Sequence, residues 1–454
     1  MKGMNMKARG LLLLLACLAL MGGGMPRQSV FRLSGMVVDT EGRGIGGVVV
    51  NDGVGFALTG ADGRWALVTD TFRSKFVSIS TPAGFRLPQD SGLAAGFFVP
   101  VGRAVAGGGW RFVLERRPVA ADSFYYVAVS DPQVRNASDM ARWRGEAVAS
   151  LRRTVAALSR SREVVGVALG DLVFDDMGLF DDYAGSVAGM PMTMFQCIGN
   201  HDFDRRLPAL RHAPEGAPAY AEMAYHRRFG PTDYSFNIGR VHIVTMCNID
   251  YRGGGRYAEL LSDSQLSWLE RDLSYVPRGS LVILNMHAPG WNREGAAANI
   301  DNAPRLERAL SGYRVHVFCG HTHFFQNVEV GDSLYQHNIG AASGAWWSGD
   351  VNRCGAPNGY MVAAVDGDSI SWRYVASDRS ADSRMRVWAP GTFAGHEGFV
   401  VANVWDYDSR CRVEWMQGGR PMGGMERFVG VDRGPLPCPR LTCSAAARGP
   451  VAAG

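Results

Sequence analysis

Five apolar runs in the middle of the chain each stop on residues that can offer a lone pair to a cation. Tyr125–Val129 leads into Ser130-Asp131-Pro132-Gln133, and Val164–Leu169 into Gly170-Asp171. Thr193–Ile198 leads into Gly199-Asn200-His201-Asp202, Leu281–Asn285 into Met286-His287-Ala288-Pro289, and Val315–Cys319 into Gly320-His321-Thr322-His323. Between these runs lie helix-like stretches, Arg142–Leu158, Leu179–Val187, Ser264–Leu273 and Ala303–Leu310. Strands alternating with helices predict an α/β unit with a largely parallel sheet. Such sheets build their sites at the carboxyl ends of the strands. All five donor sets are therefore expected on one edge of one sheet. Singly, each has an ordinary reading: Asp-Pro and Gly-Asp are common turns, Asn200 suits a helix cap, and a lone histidine is usually satisfied in a core. Five in this order are not accounted for that way.

A chain of 454 residues exceeds one comfortable core, and its rhythm changes on both sides of this unit. Residues 29–117 read as a β-sandwich, with short strands between turn signals such as Asn51-Asp52-Gly53 and Ala61-Asp62-Gly63. The α/β unit is expected over 120–343 and a second β domain over 344–434. Residues 435–454, rich in Ala, Pro and Gly without periodicity, are expected to form a disordered tail. Residues 1–24 read as an export signal: Lys2, Lys7 and Arg9 precede the apolar run Leu11–Met21, which is too short to span a bilayer. An exported chain is expected, whether periplasmic, secreted or on the cell surface. Leu14-Leu15-Ala16-Cys17 resembles a lipoprotein cleavage box, so attachment to a membrane through a lipidated Cys17 stays open.

Charge excludes several classes. Loss of the three basic residues of the signal lowers the formal net charge from +4 to +1, which is no footprint for nucleic acid. Lys75 is then the only lysine, so a P-loop kinase or a Schiff-base enzyme is not expected. Cys197, Cys247 and Cys319 sit in apolar runs and read as core residues. Cys354, Cys411, Cys438 and Cys443 leave pairing open.

The ordered set Gly170-Asp171, Gly199-Asn200-His201-Asp202 and Gly320-His321-Thr322-His323 resembles the calcineurin-like metallophosphoesterase superfamily, in a three-part bacterial branch with an N-terminal β-sandwich and a C-terminal β domain. The resemblance implies a two-sheet β-sandwich flanked by helices, with all-β domains at either end. It implies two divalent metal ions. Asp131 and His323 would hold the first ion, Asp171 would bridge, and Asn200, His287 and His321 would hold the second. His201 would face the leaving group, oriented by Asp202. Two cations about 3.5–4 Å apart clamp a phosphate and lower the pKa of a bridging water, whose hydroxide attacks phosphorus. No lysine or phosphate loop is then required.

Gln133 departs from the usual Asp-x-His, although some members carry Asp-Pro-Gln. A neutral amide oxygen is a harder and weaker donor than imidazole, so the first site is expected to shift towards Mn, Fe, Mg or Ca and away from Zn. His337 and Trp346, soon after the last metal motif, are expected either to line a pocket for a small phosphorylated substrate or to pack in a connector to the C-terminal domain. Arg205 and Arg206 are expected to face solvent, with a phosphate contact as the alternative. Monoester and diester chemistry are not distinguished. A non-catalytic cell-surface scaffold with a vestigial metal site is the alternative, opposed by retention of the whole donor set.

Overall fold

A computed structural model describes residues 29–205, 217–292, 299–380, 382–432 and 441–450. The proposed signal and Cys17 lie outside them, as does Arg206. Two sheets dominate the middle of the chain. One has seven strands in the order Ser369–Ala376, Gly359–Asp366, Ser123–Val129, Glu163–Leu169, Thr193–Cys197, Leu93–Ala94 and Gln89–Asp90. The other has six, in the order Tyr234–Ile238, Val241–Thr245, Leu281–Asn285, Arg314–Cys319, Leu334–Asn338 and Gln326–Gly331.

The strands are apolar on both faces because both faces are covered. Along Ser123–Val129, Phe124, Tyr126 and Ala128 face inward, where they share a core with Ile243, Ile283 and Phe318 of the second sheet. Val127 and Val129 face outward against Trp143, Leu151 and Val155 of the helical stretch from Ala137 to Leu158, and against Phe180 and Tyr183. The outer face of the second sheet, through Val282, Leu284 and Val317, is covered by Leu266 and Leu269 of the helix Asp263–Leu273 and by Leu306 and Leu310 of Ala303–Leu310. The result is helix, sheet, sheet, helix. At about 25 cal/mol per Å² of apolar surface removed from water, these three contiguous cores supply the main drive to this layering.

The flanking modules differ from expectation at their edges. The N-terminal module has a three-stranded and a four-stranded sheet, and its segment Gln89–Ala94 also extends the seven-stranded sheet beside Thr193–Cys197. The strands Gly359–Asp366 and Ser369–Ala376 follow the expected boundary at 343 yet complete that sheet, because Gly359–Asp366 pairs antiparallel with Ser123–Val129. The tail expected to be disordered contains the strand Leu441–Pro450, antiparallel to both Phe399–Val404 and Glu426–Asp432. Backbone pairing with two neighbours makes that strand, whatever its side-chain pattern. Cys197, Cys247, Cys319 and Cys354 are buried and free, and Cys411 is exposed and free. Among the described residues, no helix is long and apolar enough to cross a membrane.

Candidate metal centre

Parallel pairing brings the donor-bearing ends together. Ser123–Val129, Glu163–Leu169 and Thr193–Cys197 run parallel in one sheet, and Leu281–Asn285 and Arg314–Cys319 run parallel in the other. The five ends therefore come from two facing sheets, three from one and two from the other, and not from a single sheet edge. The backbone turns sharply there. Of nine non-glycine residues with positive φ among those described, eight border this site: Asp131, Gln133, Asp171, Asp175, His321, His323, Trp346 and Trp347. Such conformations cost about 1–3 kcal/mol each and persist where the surroundings enforce them. Two glycines permit close approaches: a Cβ at Gly320 would lie 1.6 Å from Ser130 Oγ, and one at Gly199 would lie 2.2 Å from Asp171 Oδ1.

One cluster of donors gathers around His287. Its Nδ1–H donates to the Leu169 carbonyl at 2.8 Å, which leaves Nε2 as the lone-pair atom. Around Nε2 lie Asn200 Oδ1 at 3.0 Å, His321 Nδ1 at 3.1 Å and Asp171 Oδ1 at 3.3 Å. Burial alone would raise the Asp171 carboxyl, but the His287 charge and hydrogen bond hold it well below the usual carboxylate range. Burial likewise opposes a charged His287, yet Asp171 and Asp131 push its imidazole up to about 10. The cluster thus favours positive charge at its centre. Divalent metals provide that charge through the same oxygen and imidazole donors.

The second cluster is built on Asp131. Its Oδ2 accepts from the His321 backbone N–H at 2.9 Å and from the Ser130 hydroxyl. Its Oδ1 lies 3.5 Å from His323 Nε2 and has no hydrogen-bond partner. His323 Nδ1 donates to the Gly344 carbonyl at 2.5 Å, which leaves Nε2 as its lone-pair atom. Gln133 Nε2 donates to Asp171 Oδ2 at 2.7 Å, whereas Gln133 Oε1 is buried without a partner. Two orphaned buried oxygens, Asp131 Oδ1 and Gln133 Oε1, fit a cation, since buried polar atoms otherwise find partners. The two Asp171 oxygens thus face different clusters, Oδ1 towards His287 and Oδ2 towards Gln133.

His201 borders both clusters without joining either. Its backbone N–H donates to Asp171 Oδ1 at 2.9 Å, and its ring stacks on Phe174 with centroids 3.8 Å apart. Its Nδ1 lies 2.9 Å from Asp175 Oδ1, and Asp175 Oδ2 accepts from Arg205 Nη1 at 3.0 Å.

Three family models match the chain in order. The N terminal of calcineurin-like phosphoesterase covers residues 32–117, calcineurin-like phosphoesterase itself residues 126–325, and the C terminal of calcineurin-like phosphoesterase residues 336–436. The chain belongs to the calcineurin-like phosphoesterase family. None of the curated proteins compared matches it. Among solved structures, a dimetal phosphatase from Danio rerio is 15% identical over 55% of this chain and 95% of its own, with a TM-score of 0.38. A purple acid phosphatase from yellow lupin (Lupinus luteus) is 12% identical over 72% of this chain and 57% of its own, with a TM-score of 0.43. A 5'-nucleotidase from Candida albicans is 13% identical over 58% and 53%, with a TM-score of 0.35. Family membership implies phosphoester hydrolysis with divalent metal cofactors.

Two expected roles fall elsewhere in this phosphoesterase. Asp202 does not orient His201. Its carboxylate accepts the backbone N–H groups of Gly199 at 2.9 Å, Val173 at 3.1 Å and Leu172 at 3.2 Å, pinning the Asp171 turn to the Asn200 turn. Burial first, and then the Asp171 charge, push the Asp202 carboxyl up to about 7. His337 is not in the pocket either. Its strand lies between two others with every side chain buried, and its nitrogens lie 2.8 Å from Asn327 Oδ1 and 2.9 Å from His316 Nδ1. Trp346 does border the site, half-exposed and stacked 4.6 Å from His323.

Three residues near the site were not among those expected there to act. Asp175 is the carboxylate on His201; its only signal is an acid four residues after Asp171 in Gly170-Asp171-Leu172-Val173-Phe174-Asp175. Arg205 holds Asp175 and does not simply face solvent. Glu259 Oε1 lies 3.1 Å from His321 Nε2, from a position 62 residues away that no motif marks.

Proposed function

We propose that this phosphoesterase is an exported hydrolase that holds two divalent ions and cleaves monoester or diester bonds of small phosphorylated substrates. The observation that carries the reading is the convergence of Asn200 Oδ1, His321 Nδ1 and Asp171 Oδ1 on His287 Nε2, all within 3.3 Å. Asp171, Asn200, His287 and His321 would hold one ion. Asp131, Gln133 and His323 would hold the other, with Asp171 shared. When bound, such ions supply charge for the phosphoryl oxygens and lower the pKa of water.

The chain's own groups divide the remaining work. Asn200, Gln133 and the imidazoles add donors without adding negative charge that would repel a phosphate. His201 is fixed through Nδ1 by Asp175, which leaves Nε2 as the ring atom that can pass a proton to a leaving alkoxide. Phe174 holds the other dimension of that ring by stacking. Gln133 in place of histidine supports Mn, Fe, Mg or Ca over Zn at the first position. The basic start and apolar run of residues 1–24 support export, with Cys17 as a lipid attachment point.

The test is His201→Ala. The variant should keep its metal content and lose hydrolysis of an aryl phosphate by about 10²–10⁴-fold, the usual contribution of a positioned acid. Loss of metal with the activity would overturn the role given to His201.

A further inference from the structure

The hairpin Ile249–Gly253 with Arg256–Glu259 is tied to the loop that carries His287. Asn248, just before the hairpin, donates through Nδ2 to the Ala288 carbonyl at 2.8 Å and accepts from the Ala288 N–H at 3.1 Å. At the other end, Glu259 Oε2 accepts from Asn299 Nδ2 at 2.8 Å, and Asn299 Nδ2 also donates to the Pro289 carbonyl at 3.0 Å. Both ends of the hairpin therefore hold the residues next to His287. The free oxygen of this fixed carboxylate, Oε1, meets His321 Nε2 at 3.1 Å.

We infer that Glu259 is a positioning residue for metal binding: by accepting from His321 Nε2–H it fixes the tautomer in which His321 Nδ1 presents its lone pair beside His287 Nε2. The inference rests on the metal reading proposed above. An exposed ion pair alone would contribute about 0–1 kcal/mol and nothing specific. Here the geometry differs from an ordinary surface pair. Nδ1 is the His321 atom that faces Asp171, Asn200 and His287, so the proton must sit on Nε2 for Nδ1 to coordinate. Glu259 is the acceptor placed to keep it there, and its negative charge makes the imidazole a better donor. The carboxylate couples two histidines through one rigid arm, because the same side chain holds Asn299 and hence the His287 loop.

The test is a Mn²⁺ titration of the full chain against a competing chelator, with two variants. The wild type should bind two ions. Glu259→Ala should weaken one of them by about 10–100-fold, the usual effect of losing such an outer carboxylate, and leave the other unchanged. Glu259→Gln keeps an acceptor oxygen and should retain most of the affinity. Two equally tight ions in Glu259→Ala would overturn the inference while leaving the metal reading intact. A fall in Glu259→Gln as deep as in Glu259→Ala would assign the effect to charge and overturn the tautomer argument. No bound ion in the wild type would overturn both readings.

Discussion

Gln133 is bound to Asp171 twice. Its Nε2 donates to Oδ2 at 2.7 Å, and its backbone N–H donates to the Asp171 carbonyl at 2.8 Å. The amide divides its two ends: nitrogen steadies the Asp171 carboxylate, and oxygen, like Asp131 Oδ1, is left buried without a partner.

Gln133→His should therefore move the metal preference of the first position towards zinc. Gln133→Leu should weaken that position and cost about 1–3 kcal/mol by leaving Asp171 Oδ2 without its donor. Elemental analysis after loading with mixed Mn²⁺ and Zn²⁺ checks the first. An unchanged metal profile in Gln133→His would place the side chain outside the metal's contacts.

Asp171→Asn should lose metal and turnover together, because one neutral amide replaces the carboxylate that faces both clusters. Metal content by elemental analysis, beside hydrolysis of an aryl phosphate, gives the answer. A variant that keeps both ions would remove Asp171 from the shared position.

Asp175 and Asp202 should separate cleanly. Asp175→Ala frees the His201 ring and should lower turnover at constant metal content, by no more than the about 10²–10⁴-fold expected for the acid itself. Asp202→Ala leaves three buried backbone N–H groups without an acceptor, each worth about 1–3 kcal/mol, and should lower the thermal midpoint first. Equal melting of Asp202→Ala and wild type would contradict its structural role.

The stacked pair His316 and His337 sets a pH dependence of stability. Burial, followed by the Arg410 and Arg314 charges, lowers His316 from 6.5 to about 4, and burial beside His316 and Arg410 lowers His337 well below its ordinary value. With folded values depressed, the unfolded chain takes up protons first. Stability from these groups is present above pH 6.5 and is lost as pH falls towards 4, at about 1.4 kcal/mol per proton per pH unit. Urea midpoints at pH 7 and 5.5 should fall with pH, and less so in His316→Asn. An equal fall in that variant would assign the effect to other groups.

The strand-end motifs were legible because each lies within a few residues of its own strand, so local pattern carried both the strand and the donor. The acid on His201 was misplaced because adjacency in Asn200-His201-Asp202 suggested a pair. The tight turn instead directs Asp202 to the backbone, and a positive φ at Asp175 swings that residue back to the ring. Glu259 was invisible because its contact depends on a hairpin anchored by Asn248 and Asn299, a tertiary relationship without a spacing. The same holds for Gly359–Asp366 and Leu441–Pro450, whose sheet partners are set by pairing and not by their own periodicity.

Stepwise addition of Mn²⁺ to the metal-free chain, with bound metal and hydrolysis of an aryl phosphate and an aryl phosphodiester followed together, tests the central claim most directly. The account predicts two bound ions per chain and turnover of at least one substrate that rises to its maximum as the second ion binds. No bound metal and no turnover with any divalent cation would contradict it.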